Sequence, residues 1–150
     1  MLCTVRLWDL APENVGADLL QGRVGMPRCL IIDDDRDSRE GYAEYLQVFG
    51  FDVQVLPDAR DALRQIVANH PDVVILDLRM PFIDGWEFVR RLRRRLPHCN
   101  VPVIAVSACA FPEDQARAQE CGCDAFLAKP ATPDRVLAAI REQLRLRRKT

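Results

Sequence analysis

The sequence predicts an α/β protein of the doubly wound type, a (βα)5 sandwich in which helices cover both faces of a five-stranded parallel sheet. Two observations lead to this fold class. Short apolar runs alternate five times with segments whose apolar residues recur at helical spacing. The third run, VVIL at residues 73–76, is apolar throughout, which is typical of a strand covered on both faces.

The five strands are predicted from short apolar runs, most of them rich in β-branched residues, that turn signals bound. They lie at residues 29–32, 53–56, 73–76, 101–106 and 125–127. A helical pattern follows each run, and a parallel partner strand requires such a crossover. Ligands of sheets built in this way bind outside the carboxyl ends of the strands.

The first two helices are predicted from the spacing of their apolar residues. The first covers residues 38–49 and ends at Gly50. Asp58 is expected to cap the second helix. That helix should turn four residues inward, namely Ala62, Leu63, Ile66 and Val67.

The last three helices have clearer signals at their starts. Asp84 and Glu87 have the spacing of a capping box at the start of the third helix. A short fourth helix is predicted at residues 113–120. The fifth begins after Thr132, with Pro133 at its first helical position. Its expected inward face is Val136, Leu137, Ile140 and Leu144.

Composition and charge are those of an ordinary globular protein. The chain has 150 residues, 49% hydrophobic and 29% charged, and its formal net charge is −1. This charge excludes a bulk electrostatic attraction to nucleic acid or to a membrane surface. The apolar runs are too short to cross a bilayer and no secretory signal is visible, so we expect a cytoplasmic protein without membrane insertion.

The chain divides into two parts that differ in pattern. Residues 1–26 have weak periodicity, and we expect a mobile extension with at most a short helix near residues 17–21. Met26 is a second possible start of the functional chain. Residues 27–148 should form the single domain.

The six cysteines predict reduced thiols, because a chain of this size has a core that needs no disulfides. Cys121 and Cys123 flank Gly122 and could be half of a metal site, but no second pair completes it. We expect Gly122 to end a helix in the left-handed conformation and the two cysteines to pack as small apolar groups. His70 and His98 lie beside prolines in loops, and we assign no chemistry to them.

The segment RRLRRR at residues 90–95 has the charge of a nucleic-acid contact but no interleaved aromatic residues. It belongs to the third helix, whose Phe88, Val89, Leu92 and Leu96 should face inward. A solvated basic face is therefore the better interpretation, and we expect no direct contact with nucleic acid.

Polar residues follow four of the strands at the point where each strand ends. They are Asp33 and Asp34, Asp77, Ser107 and Lys129. The carboxyl ends of parallel strands meet at one edge, so these residues should converge. Clustered carboxylates repel each other, and Mg²⁺, which prefers oxygen ligands, would neutralise them. A carboxylate nucleophile with a cation and a hydroxyl nearby is what phosphoryl transfer to a carboxylate requires.

Four motifs in this order identify a family. They are IIDDD at 31–35, VVILDLRMPFIDG at 73–85, VIAVSA at 103–108 and FLAKP at 126–130. Ser107 lies 30 positions after Asp77 and 22 positions before Lys129. With these motifs, residues 28–146 resemble the response regulator receiver domain of bacterial two-component signalling, which has a flavodoxin-like fold.

The resemblance implies a role for each carboxylate. Asp77 would be the phosphate acceptor. Asp33 and Asp34 would position Mg²⁺ together with Asp77, and the main-chain carbonyl of Arg79 would be a further ligand.

It also implies the remaining roles. Lys129 would contact the phosphoryl group, and the bond from Lys129 to Pro130 would be cis. Ser107 would be the switch hydroxyl and Phe126 the switch aromatic residue. The small side chain of Ala108 would leave room for the phosphate.

We therefore expect a stand-alone receiver, not an enzyme, that a histidine kinase or a phosphotransfer protein phosphorylates and that signals through a bound protein. A first alternative is a phosphorylation-independent interaction module on the same fold. A second is a haloacid-dehalogenase-type phosphatase, since Asp33 and Asp35 superficially form the D-x-D pattern of those enzymes. That alternative leaves Asp77 without a role.

Overall fold

The computed structural model of the protein describes residues 25–108 and 111–149. Strands and helices alternate along them in the predicted order. The strands are β1 (Arg28–Ile32), β2 (Asp52–Leu56), β3 (Val73–Leu76), β4 (Val103–Ser107) and β5 (Ala125–Ala128). The helices are α1 (Arg36–Val48), α2 (Ala62–Asn69), α3 (Gly85–Arg95), α4 (Pro112–Cys121) and α5 (Pro133–Arg148). The expected short helix near residues 17–21, Cys3 and Cys109 lie outside the described residues.

The five strands form one parallel sheet in the order β2-β1-β3-β4-β5. This confirms the predicted doubly wound class and gives the strand order of flavodoxin-like folds. The register aligns the carboxyl ends of the inner strands, because Ile32 pairs with Leu76 and Leu76 with Ala105. In the neighbouring pair of strands, β4 and β5, Ser107 pairs with Ala128. The residues that follow these strands therefore share one edge of the sheet.

Both faces of the sheet are covered, as the apolar strands predict. Alternate strand residues face two separate core clusters. Ile32 and Leu76 belong to the cluster that α2, α3 and α4 complete. Ile31 and Ile75 belong to the cluster that α1 and α5 complete. Every helix of the described ranges is too short or too polar to cross a bilayer.

The start of α2 differs from its prediction. Asp58 does not cap the helix, because its Oδ1 accepts a hydrogen bond from the Arg60 N–H at 2.9 Å in the preceding turn. The helix begins four residues later than Asp58, and Asp61 occupies the N-cap position. Ala62 and Ile66 are buried as expected, whereas Val67, also predicted to face inward, is 53% exposed. The later start of α2 has a local cause, because the Asp58 carboxylate is already hydrogen-bonded within the preceding turn.

The start of α3 confirms half of the predicted capping box. Asp84 Oδ1 accepts a hydrogen bond from the Glu87 N–H at 2.8 Å. The Glu87 carboxylate does not return the contact to Asp84, because it pairs with Arg90 at 3.1 Å and with Arg91 at 2.7 Å. Two guanidinium partners outweigh a single backbone N–H for this carboxylate.

The basic segment of α3 is not a uniformly solvated face. Arg93 donates from Nη1 to the carbonyl of Val101 at 3.0 Å and from Nη2 to the carbonyl of Gly122 at 3.0 Å. Its Nη2 also lies 3.0 Å from the Asp124 carboxylate. One guanidinium thus ties α3 to the chain before β4 and to the turn after α4. The interpretation of a solvated face was wrong for Arg93, because this side chain bonds to partners 6 to 31 positions away.

The cysteine predictions are confirmed for the described residues. Cys29, Cys99, Cys121 and Cys123 are free thiols. Gly122 has a φ of 106° and ends α4 in the left-handed conformation. Cys121 and Cys123 are each 8% exposed and pack in the core.

Candidate phosphoryl-acceptor site

The convergence of the predicted residues on one edge begins with the backbone. Asp33 and Asp77 directly follow β1 and β3, and their amides extend the strand ladders. The Asp33 N–H donates to the carbonyl of Leu56 at 3.2 Å, and the Asp77 N–H donates to that of Ile32 at 2.9 Å. Both carboxylates are buried, with exposed fractions of 3% and 7%. A rigid sheet edge therefore holds two acids out of water.

One ammonium group lies between the two buried acids. Lys129 Nζ is 2.8 Å from Asp33 Oδ2 and 3.3 Å from Asp77 Oδ2. In the chain, Lys129 is 96 positions from Asp33 and 52 positions from Asp77. The lysine follows β5, and its own N–H donates to the carbonyl of Ser107 at 2.9 Å. The peptide bond to Pro130 is cis. Lys129 thus supplies part of the counter-charge that buried carboxylates need.

Each carboxylate divides its two oxygens in the same way. The Oδ2 atoms contact Lys129, and the Oδ1 atoms accept backbone hydrogen bonds. Asp33 Oδ1 accepts from the Asp35 N–H at 2.9 Å, and Asp77 Oδ1 accepts from the Arg79 N–H at 3.0 Å. Both acids therefore have fixed orientations, which is the preorganisation that a reacting or ligating carboxylate needs.

The electrostatics of the site are dominated by burial. Desolvation raises the pKa of the Asp77 carboxyl, and the nearby Asp33 carboxylate adds to the rise. The Arg79 N–H and the Lys129 ammonium oppose this effect without cancelling it. Burial also disfavours the charged form of Lys129, but the two carboxylates outweigh it and the pKa of the ammonium is raised. Asp77 and Lys129 therefore each favour the charged form of the other, in a site that is short of positive charge.

The carboxylates of Asp33, Asp34 and Asp77 form a group suited to a cation. One oxygen from each lies within 4.8 Å of the others. Asp34 is exposed, whereas the other two acids are buried. Oxygen ligands with open access on one side fit Mg²⁺, which keeps several of its waters. The donor set thus agrees with the predicted metal.

The other predicted residues lie on the elements that border the two buried carboxylates. Ser107 is fully buried at the end of β4. Arg79 is exposed and follows Asp77 in the turn after β3. Phe126 is half-buried in β5, where it packs against the cluster under α4 and lines a cavity of ≈260 Å³. Its ring is thus on the α4 side of β5, two positions before Ala128.

The side chain of Asp35 is engaged outside the carboxylate cluster, although its N–H donates to Asp33. Asp35 Oδ2 accepts a hydrogen bond from the Ser38 N–H at 3.0 Å, so that it caps α1. The second acid of a D-x-D phosphatase pattern is therefore engaged at a helix start. This geometry removes the residue on which the haloacid-dehalogenase alternative depended.

Three residues near the site were not assigned a role from the sequence. Arg39 Nη1 donates to the carbonyl of Asp33 at 2.7 Å. The Tyr42 hydroxyl donates to the carbonyl of Ala131 at 2.8 Å and so ties α1 to the loop that carries Lys129. Gly85 is packed against the turn after β3. The Asp-Gly pair at 84–85 was a visible turn signal, but no sequence pattern marks the bonds of Arg39 and Tyr42, the second of which spans 89 positions.

An aromatic residue occupies a strained position in that turn. Phe82 has a φ of 71°, and the Ile83 N–H donates to the carbonyl of Pro81 at 2.9 Å across it. The ring is 72% exposed, and the Arg60 guanidinium lies 3.8 Å from its centroid. Asp58 holds that guanidinium at 2.9 Å. Arg60 thus joins the β2–α2 loop to the β3–α3 loop that follows Asp77.

Comparisons with known proteins agree with this geometry. The family model described as "Response regulator receiver domain" matches residues 29–141. The chain is 35% identical over 127 residues to the "Transcriptional regulatory protein PrrA" of Mycobacterium bovis, which covers 85% of this chain and 54% of that protein. It is also 35% identical over 120 residues to the "Transcriptional regulatory protein YxdJ" of Bacillus subtilis, covering 80% and 51%. The chain thus spans about half the length of the curated relatives it matches.

Solved structures show the same architecture. The chemotaxis protein CheY4 of Vibrio cholerae superposes with a TM-score of 0.74 at 28% identity, covering 79% of this chain and 98% of that one. The structure titled "BeF3 Activated DrrB Receiver Domain" superposes with a TM-score of 0.71 at 27% identity, covering 80% and 98%. In both cases nearly the whole of the solved chain matches.

Proposed function

Because this chain belongs to the response regulator receiver family of two-component systems, we propose that Asp77 accepts a phosphoryl group from a phosphohistidine. The donor would be a histidine kinase or a phosphotransfer protein. The observation that supports this proposal most is the contact of one ammonium group, Lys129, with two buried carboxylates at 2.8 Å and 3.3 Å. A structural ion pair would need only one of those acids.

The transfer would proceed at a carboxylate oxygen of Asp77. That oxygen attacks phosphorus, a P–O bond forms, and the P–N bond to the imidazole breaks with its electron pair left on nitrogen. The Lys129 ammonium at 3.3 Å favours the ionised form of Asp77, and this form attacks phosphorus without losing a proton. Lys129 would then hold a phosphoryl oxygen as a point charge.

Receiver domains generally bind Mg²⁺ through acidic residues, and the cluster of aspartates here fits that ion. We propose that Asp33, Asp34 and Asp77 hold it with the main-chain carbonyl of Arg79. When bound, the ion would neutralise charge on the transferring oxygens. The protein residues would contribute position: the Asp35 and Arg79 N–H groups orient the two buried carboxylates.

The response to phosphorylation is proposed to pass through two residues at the end of the sheet. Ser107 would bond to the phosphoryl group, and Phe126 would move inward. Phe126 borders a cavity beside Ala118 and Gln119 of α4, so a change in its position would alter the surface formed by α4, β5 and α5. Phosphorylation would shift a pre-existing equilibrium of that surface.

The wider setting is also a proposal. We propose a cytoplasmic receiver that turns over no substrate of its own, contacts no nucleic acid directly through the described domain and signals through a bound protein. Its curated relatives named as transcriptional regulatory proteins are about twice the length that the match covers.

The experiment is mass spectrometry of the full chain after treatment with acetyl phosphate, with and without Mg²⁺. We expect one acid-labile phosphoryl group in the presence of the metal and none after Asp77→Asn. Asp37→Asn, which changes an exposed acid of α1, is the matched control and should label normally. Labelling that persists in Asp77→Asn would reject Asp77 as the acceptor. No labelling and no Mg²⁺ binding in the unmodified chain would favour the phosphorylation-independent module.

A further inference from the structure

A continuous groove runs along α2 and α3 at the sheet edge opposite to Asp77. A cavity of ≈360 Å³ and one of ≈470 Å³ share Val67, Arg95 and Leu96 as lining residues. The larger cavity also reaches Cys99 in the loop before β4. We call this feature the α2–α3 groove; it is lined by residues 63–71 and 95–101 in part, with Arg147 of α5.

The floor of the α2–α3 groove is apolar and lies open to solvent. Val67 is 53% exposed, although it was expected to be inward, and Leu63 and Leu96 are half-buried. Covering such surface is favourable by about 25 cal/mol per Å². A groove of this kind can therefore bind a segment that presents apolar side chains.

The rim of the α2–α3 groove is basic. Arg64, Arg95 and Arg147 line it, and none of the described residues lining it is acidic. Arg64 is already paired with Asp61 at 2.6 Å, so the surplus charge comes mainly from the other two. An occupant that combines apolar and acidic residues, without basic ones, fits this surface best.

The chain before β1 leaves the domain beside this groove. The Arg28 N–H donates to Asp72 Oδ2 at 2.8 Å, and Arg28 Nη1 donates to the carbonyl of Asn69 at 2.8 Å. His70 and Pro71, between these two partners, line the groove. Any segment attached before Arg28 therefore starts next to the groove.

The sequence of that segment has the required chemistry. Residues 7–20 read LWDLAPENVGADLL, with six large apolar residues, three acids and no lysine or arginine. Residues 21–27 connect this stretch to β1, and seven extended residues span up to about 23 Å. We propose that residues 7–20 bind in the α2–α3 groove of the same chain, in place of the free extension expected from the sequence.

An intramolecular contact is the favoured form of this binding. Short linkers give effective concentrations in the millimolar range, so even a weak contact would be largely formed. The proposal does not depend on phosphorylation, because the groove lies at the opposite edge of the sheet from the carboxylates. Its test is therefore independent of the test of Asp77.

Cys99 provides a probe inside the groove, since it is a free, half-buried thiol among the lining residues. We would measure its alkylation by iodoacetamide in the full chain, peptide by peptide, with mass spectrometry. Val67→Asp should expose Cys99 and speed its alkylation about tenfold, equivalent to about 1.4 kcal/mol of binding. The added carboxylate would by itself slow the alkylation, because a nearby negative charge disfavours the reactive thiolate. The acceleration that we expect from opening the groove is therefore opposite in sign to this side effect.

Two matched controls separate binding from general effects. Val48→Asp changes a similarly exposed valine of α1 that does not line the groove, and it should leave Cys99 protected. Leu10→Asp changes the segment alone and should expose Cys99, whereas Leu2→Asp, outside residues 7–20, should not.

Three outcomes would overturn the proposal. Cys99 that reacts equally fast in the unmodified chain and in all variants would mean that the groove is open. Exposure by Val67→Asp without exposure by Leu10→Asp would mean that residues 7–20 are not the occupant. Protection that disappears on hundredfold dilution would assign the contact to the segment of a second copy, as about a hundredfold change in concentration is enough to dissociate a weak pair.

Discussion

Gly85 and Asp77 approach each other so closely that a side chain at position 85 has no space. A Cβ on Gly85 would lie 2.7 Å from the carbonyl oxygen of Asp77 and 2.6 Å from the Cα of Leu78. The Gly85 N–H donates to the Leu78 carbonyl at 2.9 Å, which brings the start of α3 back against the turn after β3. The position of the proposed acceptor therefore depends on a residue eight positions later.

Gly85→Ala should accordingly displace the turn that carries Asp77. We expect a loss of about 2 kcal/mol in the free energy of unfolding, because backbone atoms rather than a flexible side chain would have to move. Urea unfolding measures this loss. Gly41→Ala is the control, since nothing lies within 4 Å of its added Cβ in α1. It should stabilise the protein by about 0.5–1 kcal/mol. A neutral or stabilising effect of Gly85→Ala would contradict the close approach.

Asp77→Asn should stabilise the metal-free protein at neutral pH, by on the order of 1 kcal/mol. Burial raises the pKa of this carboxyl in the folded state above its unfolded value. Between those two pKa values the folded state binds the extra proton, so stability falls as the pH rises through that window. The Lys129–Asp33 pair at 2.8 Å is kept by the substitution.

The advantage of Asp77→Asn should therefore be present at pH 7 and vanish below about pH 4, where the unfolded carboxyl is protonated as well. Thermal unfolding across this pH range, with EDTA, measures it. Adding Mg²⁺ should stabilise the unmodified protein more than the variant. Destabilisation by Asp77→Asn at pH 7 would mean that Lys129 outweighs burial.

Lys129→Ala should bind Mg²⁺ more tightly but accept phosphate poorly. The ammonium group contacts two of the three carboxylates and competes with a cation for their charge. Its removal should strengthen Mg²⁺ binding by on the order of tenfold. Isothermal titration calorimetry measures the binding, and acetyl phosphate labelling measures the second effect. Lys149→Ala, at the exposed end of α5, should change neither. Equal Mg²⁺ affinity in both variants would mean that the Lys129 ammonium does not compete with Mg²⁺ for the carboxylates.

At position 82, replacement by glycine should give a more stable protein than replacement by alanine. The Phe82 φ of 71° is unfavourable for any residue with a Cβ, and both substitutions remove the same contact with Arg60. We expect Phe82→Gly to be more stable than Phe82→Ala by about 1 kcal/mol. Chemical denaturation of the two variants, compared with each other rather than with the parent, isolates the backbone effect. If alanine is the more stable replacement, the turn is not left-handed in solution.

Arg93→Ala should cost more stability than the same change at its neighbour. Arg93 donates to the carbonyls of Val101 and Gly122 and pairs with Asp124. Removing it leaves partly buried carbonyls without this donor, at a cost of about 1–3 kcal/mol. Arg94→Ala, which changes an exposed residue of the same helix, should lie within about 0.5 kcal/mol of the parent in urea unfolding. Similar small effects for both would restore the interpretation of a solvated face.

Much of the fold and of the candidate site could be predicted because the signals are local. Helical spacing, the Pro133 start and the Gly122 end each involve a few neighbouring residues, and the structure has them where they were expected. The start of α2 was missed for a local reason as well. The Asp58 side chain could accept a hydrogen bond either from the start of a helix or from the nearby turn, and in the structure it accepts from the Arg60 N–H.

The sequence by itself determined, to within a residue, where the strands end, and therefore that Asp33, Asp77, Ser107 and Lys129 share one edge of the sheet. Only the tertiary structure decided that Lys129 contacts both buried acids, that Gly85 limits the turn after Asp77 and that Arg93 is structural. The physical reason is the range of the forces involved. Turn chemistry and periodicity act within a few residues, whereas a contact across 52 or 96 positions depends on how every strand between them registers with the next.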